Sequence, residues 1–160
     1  MTREPSLDYT KDRPVKTIFK AKKQKTILKE VRKFIYNNLP KNTKLHKKRL
    51  FGSLAKGSFG KYEKKWKNRE YSDVDVLFVV DDTFIPPSSW KVHFTAEEKV
   101  WVVYNVAIIK VKNNDEIIPI DLQYIVLTKT FANEPTNIAR AESWGIPLKK
   151  FFSKNKYISL

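Results

Sequence analysis

Apolar positions recur at helical spacing through residues 15–38, "VKTIFKAKKQKTILKEVRKFIYNN". Ile27, Val31, Phe34 and Ile35 share one face and lysines the other, which predicts an amphipathic helix. The stripe is weaker at its start, where Lys22 and Lys23 stand in place of apolar residues. Leu39-Pro40 ends it, because the residue before a proline is pushed out of the helical region. "KLHKKRLF", 44–51, predicts a short strand ending at Gly52. Residues 53–60 turn into a short helix bounded by Gly57 and Gly60, and "GKYEKKWKNREY", 60–71, reads as an exposed basic loop.

"DVDVLFVV", 73–80, is a buried strand by length and β-branched content. "DDTFIPPSSW", 81–90, is a loop around Pro86-Pro87, with Asp81 and Asp82 as strand-end turn residues. Thr95 and Glu98 form a capping-box pattern that predicts a short helix near 96–104, with a strand as the alternative given its β-branched content. Residues 107–126, "AIIKVKNNDEIIPIDLQYIV", read as a hairpin turning at Asn113-Asn114-Asp115. "EPTNIARAESWG", 134–145, reads as helical, and a lysine-rich tail follows. The expected architecture is a small two-layer α+β (α/β) domain, a mixed sheet with helices on one face. Residues 1–14 are expected to be a flexible N-terminus and 15–160 a single domain.

Charge changes the picture more than length does. The chain of 160 residues carries a net charge of +15 and contains no cysteine. Residues 11–70 hold 21 Lys/Arg against 4 Asp/Glu, and residues 71–160 hold 10 against 11. A polycationic first half attracts polyanions, nucleic acid first among them, although a solvated lysine-rich surface has the same composition. The lack of cysteine excludes disulfides, thiolate metal sites and a cysteine nucleophile, and fits a cytoplasmic protein. No apolar run is long enough to span a membrane, and the N-terminus has no signal-like apolar core.

Two aspartates open the apolar strand, Asp73 and Asp75. Side chains at i and i+2 of a strand share a face, so both project together while Val74, Val76, Phe78 and Val80 enter the core. Adjacent carboxylates repel unless a cation lies between them, and hard oxygen donors suit Mg²⁺ or Mn²⁺. Asp121 is the candidate third carboxylate, placed opposite the Ile118, Ile120, Leu122 and Tyr124 face of its strand. Before them, Gly52-Ser53 joins a strand end to a helix start, where exposed N–H groups and the Ser53 hydroxyl suit a phosphate.

This order of Phe51-Gly52-Ser53, then Ser72-Asp73-Val74-Asp75 opening a strand, then a lone Asp121 in a later strand, resembles the DNA polymerase β-like nucleotidyltransferase superfamily. The matched segments are 51–80 and 117–126. The resemblance implies a palm-like domain and a two-metal-ion reaction that moves a nucleoside monophosphate from an NTP or dNTP to a hydroxyl, releasing pyrophosphate. It implies that Asp73 and Asp75 bind both Mg²⁺ (or Mn²⁺) ions and that Asp121 binds the one activating the attacking hydroxyl. It assigns Gly52 and Ser53 to the β- and γ-phosphates, Lys56 to the triphosphate where many relatives carry arginine, and Ser58 to a position where threonine is common. The chain departs from the family by having nineteen residues between Ser53 and Asp73, about twice the usual spacing. It also lacks a helical domain after Asp121, which makes a protein partner subunit an expectation.

The basic half makes a nucleic-acid 3′-end the expected acceptor, with Lys61, Lys64, Lys65, Trp66 and Lys67 as candidate contacts. Two alternatives stand beside it: a minimal, antitoxin-like nucleotidyltransferase that modifies a protein partner, and a non-catalytic nucleic-acid-binding module on the same fold. His46 and His93 are isolated and read as structural or surface residues; Trp90, Trp101 and Trp144 read as core.

Overall fold

A computed structural model describes residues 13–39, 44–66, 68–96, 100–132, 153 and 156–160. The fold is α+β. A short strand, β1 (Lys16–Ile18), precedes helix α1 (Ala21–Asn37), so the predicted helix begins six residues later than its apolar pattern suggested. Ile27, Val31 and Ile35 lie almost wholly out of solvent on one face of α1. Burial of side chains of this size contributes about 1.5–3 kcal/mol each. The lysines of the other face stay in water.

The main sheet has six strands. They are β2 (Leu45–Phe51), β5 (Val74–Val80), β6 (Val92–Ala96), β7 (Val100–Asn113), β8 (Glu116–Thr128) and β9 (Tyr157–Ser159), in the order β6-β7-β8-β5-β2-β9. Strands β5 and β8 run parallel, with Val74 opposite Leu122 and Asp75 opposite Gln123; the other pairs are antiparallel. One sheet face carries Leu50, Val76, Phe78, Ile118, Ile120, Leu122 and Val126 into a core shared with α1. Lys23 on α1 pairs with Glu116 at 2.5 Å, tying the helix to the start of β8. The far end of the other face is buried too, at Leu77, Val79, Ile125 and Leu127. The central strands are thus apolar on both sides there, where covering helices on one face alone were expected.

Two further expectations are corrected. The short helix near 96–104 is strand: β6 ends at Ala96 and β7 begins at Val100. Pairing of Val100–Val103 with Tyr124–Leu127 outweighs the local capping pattern, because it satisfies a ladder of backbone groups that a short helix would leave to water. The basic loop at 60–71 is a hairpin of β3 (Gly60–Trp66) and β4 (Arg69–Tyr71), which with β1 makes a second, three-stranded sheet. Its turn places Asn68 in the left-handed region, φ 63°. The predicted hairpin at 107–126 is present as β7 and β8, with Asn114 left-handed at its tip (φ 57°).

Gly60 is where β3 meets β1. A Cβ there would fall 2.1 Å from the Thr17 carbonyl oxygen, so only glycine lets β3 approach β1 this closely. Trp90 packs on the core as expected, 5.5 Å from Tyr124 and 6.0 Å from Phe84 between ring centres. His46 has the structural role expected of it, pairing with Asp81 at 2.5 Å. The expected helix at 134–145, Trp144, Lys67 and the side chains of His93 and Trp101 lie outside the described residues. No helix among the described residues is long and apolar enough to cross a membrane.

Candidate functional site

The second face of the main sheet changes character along its length. Apolar at Leu77, Val79, Ile125 and Leu127, it turns polar at Asp73, Asp75, Asp121 and Gln123. Val74 and Leu122 are register partners, so Asp73 and Asp121 stand one position earlier on neighbouring parallel strands. Asp75 sits beside Phe51 of β2, the residue before Gly52. The three carboxylates therefore come to one end of one face, as the alternation along the two strands predicted.

Gly52 takes φ 84°, a backbone conformation that side-chain-bearing residues rarely adopt. A Cβ at this position would lie 3.3 Å from Asp75 Oδ2, so the turn and the carboxylate are neighbours. Four-residue helix α2 (Ser53–Lys56) follows. Ser53 Oγ is buried with no hydrogen-bond partner. The Ser58 N–H donates to the Ser53 carbonyl at 2.8 Å and its hydroxyl reaches the same oxygen at 3.4 Å, so Ser58 closes this turn. Lys56 is exposed at the end of α2.

Arg69 stands between two of the carboxylates. Its Nη1 donates to Asp73 Oδ2 at 3.0 Å, and its Nε lies 3.5 Å from Asp121 Oδ2. The other Asp121 oxygen, Oδ1, is buried without a partner. Burial pushes the Asp121 pKa above the ordinary carboxylate value, Arg69 pulls it down, and Asp73 adds to the rise. The net rise means that Arg69 compensates the charge there only in part. Beside this pair lies a cleft of about 300 Å³ whose lining includes Lys65, Arg69, Tyr71, Ile108, Pro119 and Asp121.

These donors fit a divalent cation in kind: hard carboxylate oxygens, one of them buried and unpartnered. Among the described residues, no three acidic, histidine or cysteine side chains converge as a ready-made ligand cluster. Asp73 and Asp121 instead converge on a guanidinium.

Several residues of the site were missed from the sequence. Arg69 lies in a segment whose lysines read as exposed loop, although its spacing of four from Asp73 is visible in the sequence. Lys16, in the stretch whose pattern predicts helix, lies on β1 and donates to Ser72 Oγ at 3.2 Å. Ser72 is buried and also accepts from the Gly60 N–H, so it joins β1, β3 and the entry to β5. Burial, with Arg13 and Lys56 nearby, lowers the Lys16 pKa, and Asp73 opposes this.

Of the predicted nucleic-acid contacts, Lys61, Lys64 and Lys65 are exposed on β3. Trp66 is packed: Tyr62 meets it edge-on at 5.6 Å, and the Arg13 guanidinium covers it at 4.7 Å. Compared with known protein families, curated proteins and solved structures, the chain matches none.

Proposed function

We propose that this chain is a metal-dependent nucleotidyltransferase that moves a nucleoside monophosphate from an NTP or dNTP to a hydroxyl, with a nucleic-acid 3′-end as the acceptor. One observation carries the reading. Asp73, Asp75 and Asp121 lie together on one sheet face, next to its apolar stretch at Leu77, Val79, Ile125 and Leu127, with the Gly52-Ser53 turn against Asp75. Asp73, Asp75 and Asp121 would hold Mg²⁺ or Mn²⁺, which supplies charge stabilisation at the transferring phosphoryl group. The Gly52-Ser53 turn and Lys56 receive the triphosphate. The acceptor oxygen forms a bond to the α-phosphorus, the bond from that phosphorus to the bridging oxygen breaks, and pyrophosphate leaves. Asp121, whose buried Oδ1 has no hydrogen-bond partner, takes the hydroxyl proton. Lys61, Lys64 and Lys65 attract the phosphates of the acceptor strand.

A second reading, a non-catalytic nucleic-acid-binding module, draws on Arg69, which gives Asp73 and Asp121 a structural counter-ion. Incubation with each α-labelled NTP and dNTP and Mn²⁺, with and without an oligonucleotide, separates the readings. Label on the oligonucleotide supports the proposal, and label on a co-expressed protein moves the acceptor to a protein partner. Oligonucleotide binding without any labelling supports the module.

A further inference from the structure

Arg69 reaches the carboxylates because of how the β3–β4 hairpin folds. Trp66 pairs with Arg69 across the turn, and left-handed Asn68 reverses the chain just before it. Strand β4 then runs directly into Ser72 and Asp73. The hairpin is the segment that lengthens the spacing between Ser53 and Asp73, so the added residues deliver a cation to the carboxylate end of the sheet.

Arg69 already occupies one oxygen of each of the two carboxylates. It engages Oδ2 of both Asp73 and Asp121 with its positively charged guanidinium. A divalent ion drawing on the same two carboxylates meets a group of like charge already seated there. Arg69, Asp73 and Asp121 side chains are only 28%, 26% and 18% exposed, so water screens this repulsion less than it would on an open surface.

We propose that Arg69 is a built-in counter-cation that a divalent metal must displace from Asp73 and Asp121. The inference rests on reading those carboxylates as a metal site. In the metal-free protein the guanidinium offsets their repulsion and keeps the two strands' ends together. When metal enters, the side chain moves into the adjoining cleft, where Arg69 already forms part of the lining beside Lys65 and Ile108. Metal affinity is therefore set by two opposed quantities: the attraction of the carboxylates, and the loss of an internal ion pair.

Titration of Mn²⁺ alone into the full-length chain tests this, followed by electron paramagnetic resonance of the free ion. Arg69→Gln should bind Mn²⁺ about tenfold more tightly than the wild type, within the range usual for coupling between two ligands. Its metal-free melting temperature should fall, and saturating Mn²⁺ should raise it by more than in the wild type. Should Arg69→Gln fail to fold, Arg69→Lys keeps the charge but loses the fork, and it should also bind Mn²⁺ more tightly than the wild type. Equal or weaker Mn²⁺ binding by the folded variant, with Asp75→Asn weakening it further, overturns the displacement idea and leaves the metal site standing. Absence of saturable Mn²⁺ binding in wild type and variant alike overturns the metal site and, with it, this inference.

Discussion

Gln24 and Phe59 exchange two hydrogen bonds across the core: Gln24 Nε2 donates to the Phe59 carbonyl at 3.2 Å, and the Phe59 N–H donates to Gln24 Oε1 at 3.2 Å. The same amide donates to the Gly57 carbonyl at 2.6 Å. A buried glutamine on α1 thereby pins the segment that follows the Gly52-Ser53 turn. Replacing it with leucine keeps the volume and removes the partners. Each buried backbone group left unsatisfied costs about 1–3 kcal/mol. Gln24→Leu should therefore lower the urea midpoint clearly, whereas Lys25→Leu on the exposed face should change it little. Equal midpoints for Gln24→Leu and wild type would show that the amide does not hold this turn.

The two glycines nearest the site should respond differently to alanine. At Gly60 the new Cβ meets backbone at 2.1 Å, so β1 and β3 must separate. At Gly52 it meets a carboxylate oxygen at 3.3 Å and a positive-φ, extended-ψ backbone (φ 84°, ψ −156°) that is essentially reserved for glycine, a strain of about 1–3 kcal/mol. Gly60→Ala should lose more thermal stability than Gly52→Ala. Gly52→Ala should weaken nucleotide binding, measured by calorimetric titration, while the protein stays folded; the bulkier Gly52→Val should weaken it further.

Asp73→Asn and Asp75→Asn should both abolish nucleotide transfer, since loss of metal charge stabilisation adds several kcal/mol to the barrier. Their metal-free stabilities should differ. Asp73→Asn takes from Arg69 its closest ionic partner, at 3.0 Å, and leaves the guanidinium to Asp121. Asp75→Asn leaves that pair intact. Thermal melts in chelator should rank Asp73→Asn below Asp75→Asn, and oligonucleotide affinity should survive in both. Near wild-type labelling by either mutant would refute the assignment of the site.

Lys16 supplies a pH test. Burial is the larger cause that holds its pKa below the ordinary 10.5, with Arg13 and Lys56 adding to it and Asp73 opposing. A lysine whose pKa is lower in the folded state destabilises the fold while it is charged. That penalty is full at neutral pH and is relieved as pH rises through the lowered pKa toward 10.5. Lys16→Met should therefore be at least as stable as wild type at pH 7, with any gain shrinking at alkaline pH. A lower melting temperature for Lys16→Met at pH 7 would mean that its bond to Ser72 outweighs the burial penalty.

The exposed lysines of β3 should govern the salt dependence of nucleic-acid binding. Each phosphate neutralised contributes roughly 0.7–0.9 to the slope of log K against log salt. Replacing Lys61, Lys64 and Lys65 together with glutamine should flatten that slope by about 2, measured by fluorescence anisotropy with a labelled oligonucleotide. Trp66→Ala should act mainly on stability, because Tyr62 and Arg13 already use the ring. A large, selective loss of single-strand affinity in a folded Trp66→Ala would show that the indole leaves its packing to stack on bases.

Local pattern determined a good part of this molecule. The 3.6-residue stripe of Ile27, Val31 and Ile35 specifies α1, because only a helix puts those positions on one face. Alternation specifies β5, the β7–β8 turn at Asn114, and the common face of Asp73, Asp75 and Asp121. What remained belongs to pairings between residues far apart in the chain. Val100–Val103 is strand because Tyr124–Leu127 supplies its ladder, and Lys16–Ile18 is strand because β3 supplies its own. Neither partner can be read from the segment itself. The basic run at 60–71 looked like solvent-exposed loop because lysines dominate it. It folds as a hairpin because Tyr71 enters the core and Tyr62 is buried against Trp66, while Lys61, Lys64 and Lys65 stay in water. The tertiary structure alone decided where Arg69 points. The sequence puts Arg69 four residues before Asp73, but only the folded β3–β4 hairpin brings its guanidinium onto Asp121 as well.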